Sequence, residues 1–194
     1  MAAGDLALSF PRRIQALEHE LRELVNASER KAALMRDIRA WMMLTSSMDL
    51  LGDTEFGIDS YLQSDDEDAH PGQVYIAVYG ILQAIFLQQD AVKHICESLL
   101  IDFKLSDTLR GIRNLRNDAT GHPTKGDYGK TFHMIVRPGM SRLGFRMYSF
   151  DATGIASERH VSILEVLRKQ EESISSALVR VIQIERSRAI SASG

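Results

Sequence analysis

The strongest constraint on this chain is a long run of apolar residues with helical spacing. Val74, Val78, Ile81, Leu82, Ile85, Phe86, Val92, Ile95, Cys96 and Leu99 recur mostly three and four residues apart, as on one face of an α-helix. Helices in proteins are held mainly by packing of such a face, so the chain must supply further helices to cover it. Pro71 suits the first turn. Gln88, Gln89, Asp90, Lys93, His94 and Glu97 form the polar side, some of them facing the next helix. The expected fold class is all-α: a bundle of about four to five helices.

The segment before it repeats the theme. Ile14, Leu17, Leu21 and Leu24, then Met35, Ile38, Met42 and Thr45, alternate three and four apart like a heptad seam, interrupted by Ser28 and Lys31. Asn26-Ala27-Ser28-Glu29 reads as a capping box, so either two helices meet near residue 26 or one helix runs from about 11 to 51; the pattern leans towards a break. Ala32, Ala33, Leu34, Met35, Trp41, Met42, Met43 and Met48 make the second half apolar on more than one face. That fits burial by the bundle and a second chain, or equally a helix in the middle of the bundle. Residues 52–72, with Gly52, Gly57, the acidic run Asp65-Asp66-Glu67-Asp68 and Pro71-Gly72, read as a solvated connection.

Beyond Pro123 the period changes to two. Phe132, Met134 and Val136 alternate with His133, Ile135 and Arg137, and Leu143, Phe145 and Met147 with Gly144, Arg146 and Tyr148. This predicts a β-hairpin over 128–151 with its turn at Pro138-Gly139. An isolated hairpin is marginal in water, so it must pack on the bundle or on a partner. Ser157 is expected to cap a last helix over 157–186, buried through Ile163, Val166, Leu167, Ile174, Leu178, Val181 and Ile182, and the tail after Arg186 to fray. The 194 residues then form one domain: an N-terminal helical segment (1–51), the acidic loop (52–72), core and motif helices (72–122), the hairpin and the C-terminal helix.

Chemistry concentrates in Ile112-Arg113-Asn114-Leu115-Arg116-Asn117-Asp118-Ala119-Thr120-Gly121-His122-Pro123. At about 100° per residue, Leu105, Leu109, Ile112, Leu115 and Ala119 share one arc, and Arg116 falls inside it. An unpaired buried guanidinium costs several kcal/mol or more, so Arg116 must meet a carboxylate, a partner chain or a polar cleft. Gly121 is expected to take the left-handed conformation after the helix, and Pro123 to stop the helix from resuming. Past that break His122 can fold back towards the arginine. A histidine and an arginine so paired suit a phosphate; the alternative is a capping role for His122 and an ion pair of Arg116 with Asp90 or Glu97.

Composition narrows the rest. A net charge of -3 argues against non-specific coating of nucleic acid and leaves any RNA contact local. The single Cys96 rules out an intrachain disulfide and fits a reducing compartment. The sequence shows neither a secretory leader nor an apolar run of about 20 residues, so a cytoplasmic protein with no membrane contact is expected. The six histidines lack paired ligand spacing, and no phosphate-binding glycine loop or nucleophile elbow occurs. No metal or other cofactor is expected. No clustered exposed aromatics for base stacking are evident.

Arg116-Asn117, four residues, then His122 resembles the Arg-x(4–6)-His signature of the HEPN superfamily, with a polar residue directly after the arginine. The resemblance covers residues 72–186 best. It implies a helical domain that works as a homodimer, with two motifs facing each other in one composite site, and a metal-independent endoribonuclease activity on single-stranded RNA. The implied roles are Arg116 holding the scissile phosphate, His122 moving protons and Asn117 orienting one of them. Arg113 is divided between substrate contact and an ordinary salt bridge, Asp118 is assigned to capping or the surface, and Lys125, with Lys130, Arg137, Arg142 and Arg146, could extend a phosphate track or belong to a solvated strand face. Relatives of this kind act in toxin–antitoxin and defence systems, which implies an antitoxin or a nucleotidyltransferase as partner. Two other readings stand beside it: a non-catalytic module that binds RNA, a nucleotide or a protein, and a purely structural helical dimer.

Overall fold

A computed structural model describes residues 12–64, 69–121, 123–124 and 130–192. Among them are helices α1 (Arg13–Asn26), α2 (Ser28–Leu34), α3 (Ile38–Gln63), α4 (Pro71–Ser98) and α5 (Asp107–Arg116), a π-helical turn (Asn117–Gly121), strands β1 (Phe132–Ser141), β2 (Gly144–Phe150) and β3 (Ala156–Ser162), and helix α6 (Ile163–Ala192). The fold is a helical bundle with a small antiparallel sheet inserted before the final helix, as the apolar spacing predicts.

The N-terminal segment breaks twice. Asn26 does not cap: its amide donates to Arg22 O, and α2 begins after Ala27 with no side-chain cap. Asp37 caps instead, its Oδ1 accepting from the backbone N–H of Arg39 and Ala40. Helix α3 then runs to Gln63, through the glycines expected to lie in a connection. Its buried positions Leu44, Met48, Leu51, Glu55, Ile58 and Leu62 explain why. They alternate four and three apart, and a glutamate occupies one place in the seam. Met35, Ile38 and Met42, by contrast, are exposed, so the expected seam does not continue through them.

Helix α4 starts with a reciprocal cap. Gly72 N–H donates to His70 Nδ1, His70 N–H donates to Gln73 Oε1, and Pro71 fills the first turn. Antiparallel packing of α4 on α3 divides the interior in two. One apolar cluster holds Leu21, Met48, Val92, Ile95 and Leu178; the other holds Ile58, Leu82, Leu115, Phe145, Met147 and Leu167. Between them runs a chain of buried amides. Gln89 Nε2 donates to Gln170 Oε1, Gln170 Nε2 to Gln88 Oε1, and Gln88 Nε2 to Glu55 Oε1 at 2.7 Å. Gln88 and Gln89 are thus fully buried rather than on a polar outer side. Next to this layer Glu171 Oε1 accepts from the N–H groups of Arg13 and Ile14, capping α1 from a distance of many residues in sequence.

The hairpin carries a third strand, in the order β1-β2-β3. Its first turn lies at Arg142-Leu143, not at Pro138-Gly139; those two sit inside β1, where the register shifts between Val136 and Ser141 and Gly139 has φ of 77°. Ser157 lies on β3, paired with Ser149 of β2, rather than capping a helix. The cap of α6 is Ser162, whose Oγ accepts from Glu165 N–H. Helix α6 continues to Ala192, past the expected end at Arg186.

Candidate functional site: an arginine on α5 and the cleft beside it

The site is built where α5 lies along α4. Leu109, Ile112, Leu115 and Ala119 are buried as the arc predicts, which turns Arg113 and Arg116 towards one face of α4. That face carries Tyr75, Tyr79, Gln83, Phe86 and Asp90, three and four residues apart. Phe86 serves both arginines: the guanidinium carbons of Arg113 and Arg116 lie 4.1 and 4.5 Å from its ring centroid, a cation–π arrangement.

The two charges are treated differently. Arg113 Nη2 pairs with Asp90 Oδ1. Arg116 donates from Nε (3.1 Å) and Nη2 (2.6 Å) to Gln83 Oε1, and from Nη1 (3.0 Å) to Asn117 Oδ1. Neither Asp90 nor Glu97 bonds to it, and no carboxylate among the described residues pairs with it. Its partners among the described residues are all neutral. They fix the plane of the guanidinium without cancelling its charge, and three bonds leave two of the five N–H donors over.

The end of the motif helix differs from expectation. Gly121 does not take a left-handed conformation; the chain widens into a π-turn, with Thr120 Oγ1 donating to Arg116 O. Single π-turns of this kind recur at functional sites. The glycine is needed for another reason: a Cβ there would lie 2.8 Å from Arg116 Nη1 and 3.3 Å from Asn117 Oδ1. The backbone wraps closely around the arginine tip. His122, the next residue, and Lys125 lie outside the described residues.

Two residues gain a role that spacing alone did not reveal. Asp118 faces the sheet, its Oδ1 3.4 Å from His133 Nε2 and its Oδ2 3.8 Å from Arg159 Nη2. His133 Nδ1 meets Ser149 Oγ at 2.9 Å, and its backbone N–H donates to Pro123 O. This histidine ties the strand to the motif turn. Alternation places it opposite Phe132 and Met134, and those two apolar side chains are the exposed ones, so the inward face of β1 is the one that carries His133 and Ile135.

Between α4, the π-turn and β1 opens a cleft of about 860 Å³. Tyr75, Tyr79, His70, His133 and Arg137 line it together with Val74, Ile135 and Met140. The two tyrosines form one unit, ring centroids 4.6 Å apart and hydroxyl oxygens 2.7 Å apart. Burial first, then the hydrogen bond from its neighbour, pushes Tyr79 up to about 12. Two half-buried aromatics thus stand together on the wall of the cleft. Of the other cations, Arg142 is buried with its guanidinium near the Tyr61 ring, Arg146 pairs with Glu158, and Arg137 lies on the wall of the cleft.

Among the described residues no group of three His, Cys, Asp or Glu could hold a metal ion, and no helix is long and apolar enough to cross a membrane. Compared with family models, curated proteins and solved structures, the chain matches none. The resemblance therefore rests on the motif and its setting.

Proposed function

We propose that this protein is a HEPN-like endoribonuclease that cuts single-stranded RNA, without a metal, at a composite site between two copies of the chain. The observation that carries the reading is Arg116: a half-buried guanidinium held by Gln83, Asn117 and Phe86, with no counter-charge among the described residues, at the residue where the signature requires an arginine. A phosphate would supply the missing charge and accept two parallel N–H bonds.

In the proposed reaction Arg116 grips the scissile phosphate and stabilises the charge that grows on the phosphorane. A histidine at position 122 takes the proton from the ribose 2′-hydroxyl, the 2′-oxygen attacks phosphorus, and the P–O5′ bond breaks. The second chain's equivalent histidine gives a proton to the departing 5′-oxygen. The products are a 2′,3′-cyclic phosphate and a 5′-hydroxyl. A twofold dimer supplies both histidines from one sequence, and an unperturbed pKa of about 6.5 lets imidazole serve either role. Asn117 keeps the guanidinium aimed. The setting we infer is the cytoplasm, with an antitoxin or a nucleotidyltransferase as the controlling partner.

Incubation with single-stranded RNA in excess chelator tests the reading. Cleavage to cyclic-phosphate ends is expected, reduced about 10²- to 10⁴-fold in His122→Ala, and sedimentation is expected to give a dimer. Equal cleavage by wild type and His122→Ala, or a strict monomer that still cuts, overturns it. Binding of RNA that weakens in Arg116→Ala, with no cleavage of any substrate, would instead make the chain a non-catalytic RNA-binding module.

A further inference from the structure

The cleft between the start of α4, the π-turn at Ala119 and β1 has a lining unlike that of a purely structural gap. It is about 860 Å³ in volume, within the range of sites that enclose a small organic ligand, and it joins an aromatic wall to cationic and hydrogen-bonding groups. We propose that it receives a nucleobase of the RNA whose phosphate Arg116 holds, with Tyr75 and Tyr79 as the stacking wall. This assignment rests on the ribonuclease reading for the identity of the ligand.

Three observations support it. The first is position: Tyr79 lies one turn before Gln83, which fixes Arg116, and four helical residues advance about 6 Å. A base against the tyrosines and a phosphate on the guanidinium are then within reach of a single nucleotide. The second is rigidity. The two rings hold each other by contact and through their hydroxyls, so a stacked base orders little that is not ordered already. Stacking on an aromatic side chain suits any base, because every base has a π-face.

The third is polar chemistry at the rim. His70 Nδ1 accepts from Gly72 N–H, so the neutral ring carries its proton on Nε2 and offers a donor to a base carbonyl. Arg137, exposed at the bulged part of β1, lines the opposite side and meets the phosphate on the far side of the bound nucleotide. Val74, Ile135 and Met140 give the flat ring an apolar floor. Asp118 is already engaged with His133 and Arg159, which keeps its carboxylate from repelling the ligand.

The four nucleoside 3′,5′-bisphosphates serve as probes, titrated separately by calorimetry into wild type and into Tyr75→Ala, Tyr75→Phe and Arg137→Ala. At least one is expected to bind, about tenfold or more weakly in Tyr75→Ala and within about twofold of wild type in Tyr75→Phe. Arg137→Ala, on an exposed strand position, is expected to weaken binding severalfold without affecting folding. Binding of none of the four, or equal binding by wild type, Tyr75→Ala and Arg137→Ala, overturns the inference. Cleavage is scored separately on RNA containing all sixteen dinucleotide junctions. Cutting that is equally efficient in wild type and Tyr75→Ala at every junction also overturns it, while the ribonuclease reading survives. Mononucleotide binding that responds to Tyr75 in a protein that cuts no RNA leaves the cleft assigned and removes the nuclease.

Discussion

At the residue scale the central object is one guanidinium and the three groups that aim it. Gly121 is the fourth. A methyl group there would enter the space of Arg116 Nη1, and because that atom ends a flexible side chain, the arginine yields rather than the backbone. Gly121→Ala is therefore expected to leave the melting temperature nearly unchanged and to lower RNA cleavage by about 10- to 100-fold, since small misplacements of a positioning group cost that order. Cleavage and thermal melting measured side by side check it. The arginine's exceptional position was legible in the sequence from the helix projection alone. Its companions were not: Gln83 and Phe86 lie a whole helix earlier, and periodicity says which face a residue occupies without saying which face of another helix it meets. Asp118 and His133 stayed hidden for the same reason.

The elements were readable where burial follows a single period, and obscure where it does not. Helix α4 and the buried side of α6 follow their apolar spacing. The second half of α3 was misjudged because Glu55 holds a place in its seam and two glycines flank it, so the apolar pattern looks finished at Leu51. Strand β3 gave no signal at all. Of Ala156 to Ser162 only Val161 is buried, so an edge strand lying mostly in solvent has no hydrophobic alternation to show. The end of α4 offers a test at this scale. Leu100 adopts φ of 54° and is 87% exposed, while Ile101 N–H closes back onto Cys96 O. This is the helix-ending geometry that glycine occupies without a Cβ penalty. Leu100→Gly should stabilise the protein by about 0.5–1 kcal/mol, read as a higher urea midpoint at an unchanged slope.

The whole molecule is two apolar halves joined through a polar layer, and that layer titrates. Burial, and then the neighbouring Glu171 carboxylate, push Glu55 up to about 7, against the pull of Gln88 and Arg12. In the unfolded chain its value is the ordinary 4.5. Between those values the folded protein holds a proton that the unfolded chain has released, so the stability this group contributes is complete below about pH 4.5 and is lost as pH rises through 7. The loss is of order 3 kcal/mol. Glu171 shifts in the same direction, again chiefly by burial. Glu55→Gln keeps an acceptor for Gln88 and removes the charge. It should stabilise the protein by about 1–3 kcal/mol at pH 8 and change little at pH 5, measured by urea unfolding at both values.

The position of that layer has a further consequence. It crosses α3, α4 and α6 at Glu55, Gln88 and Gln170, and each of these helices buries side chains in both cores, on either side of the layer. Opening of the half that holds the motif, the cleft and the sheet can stop at the glutamines, with the far ends of the same helices still wound in the other core. On the proposed ribonuclease reading, the site would then take in RNA, or a second copy of the chain, by loosening one end of the molecule while the other end stays folded.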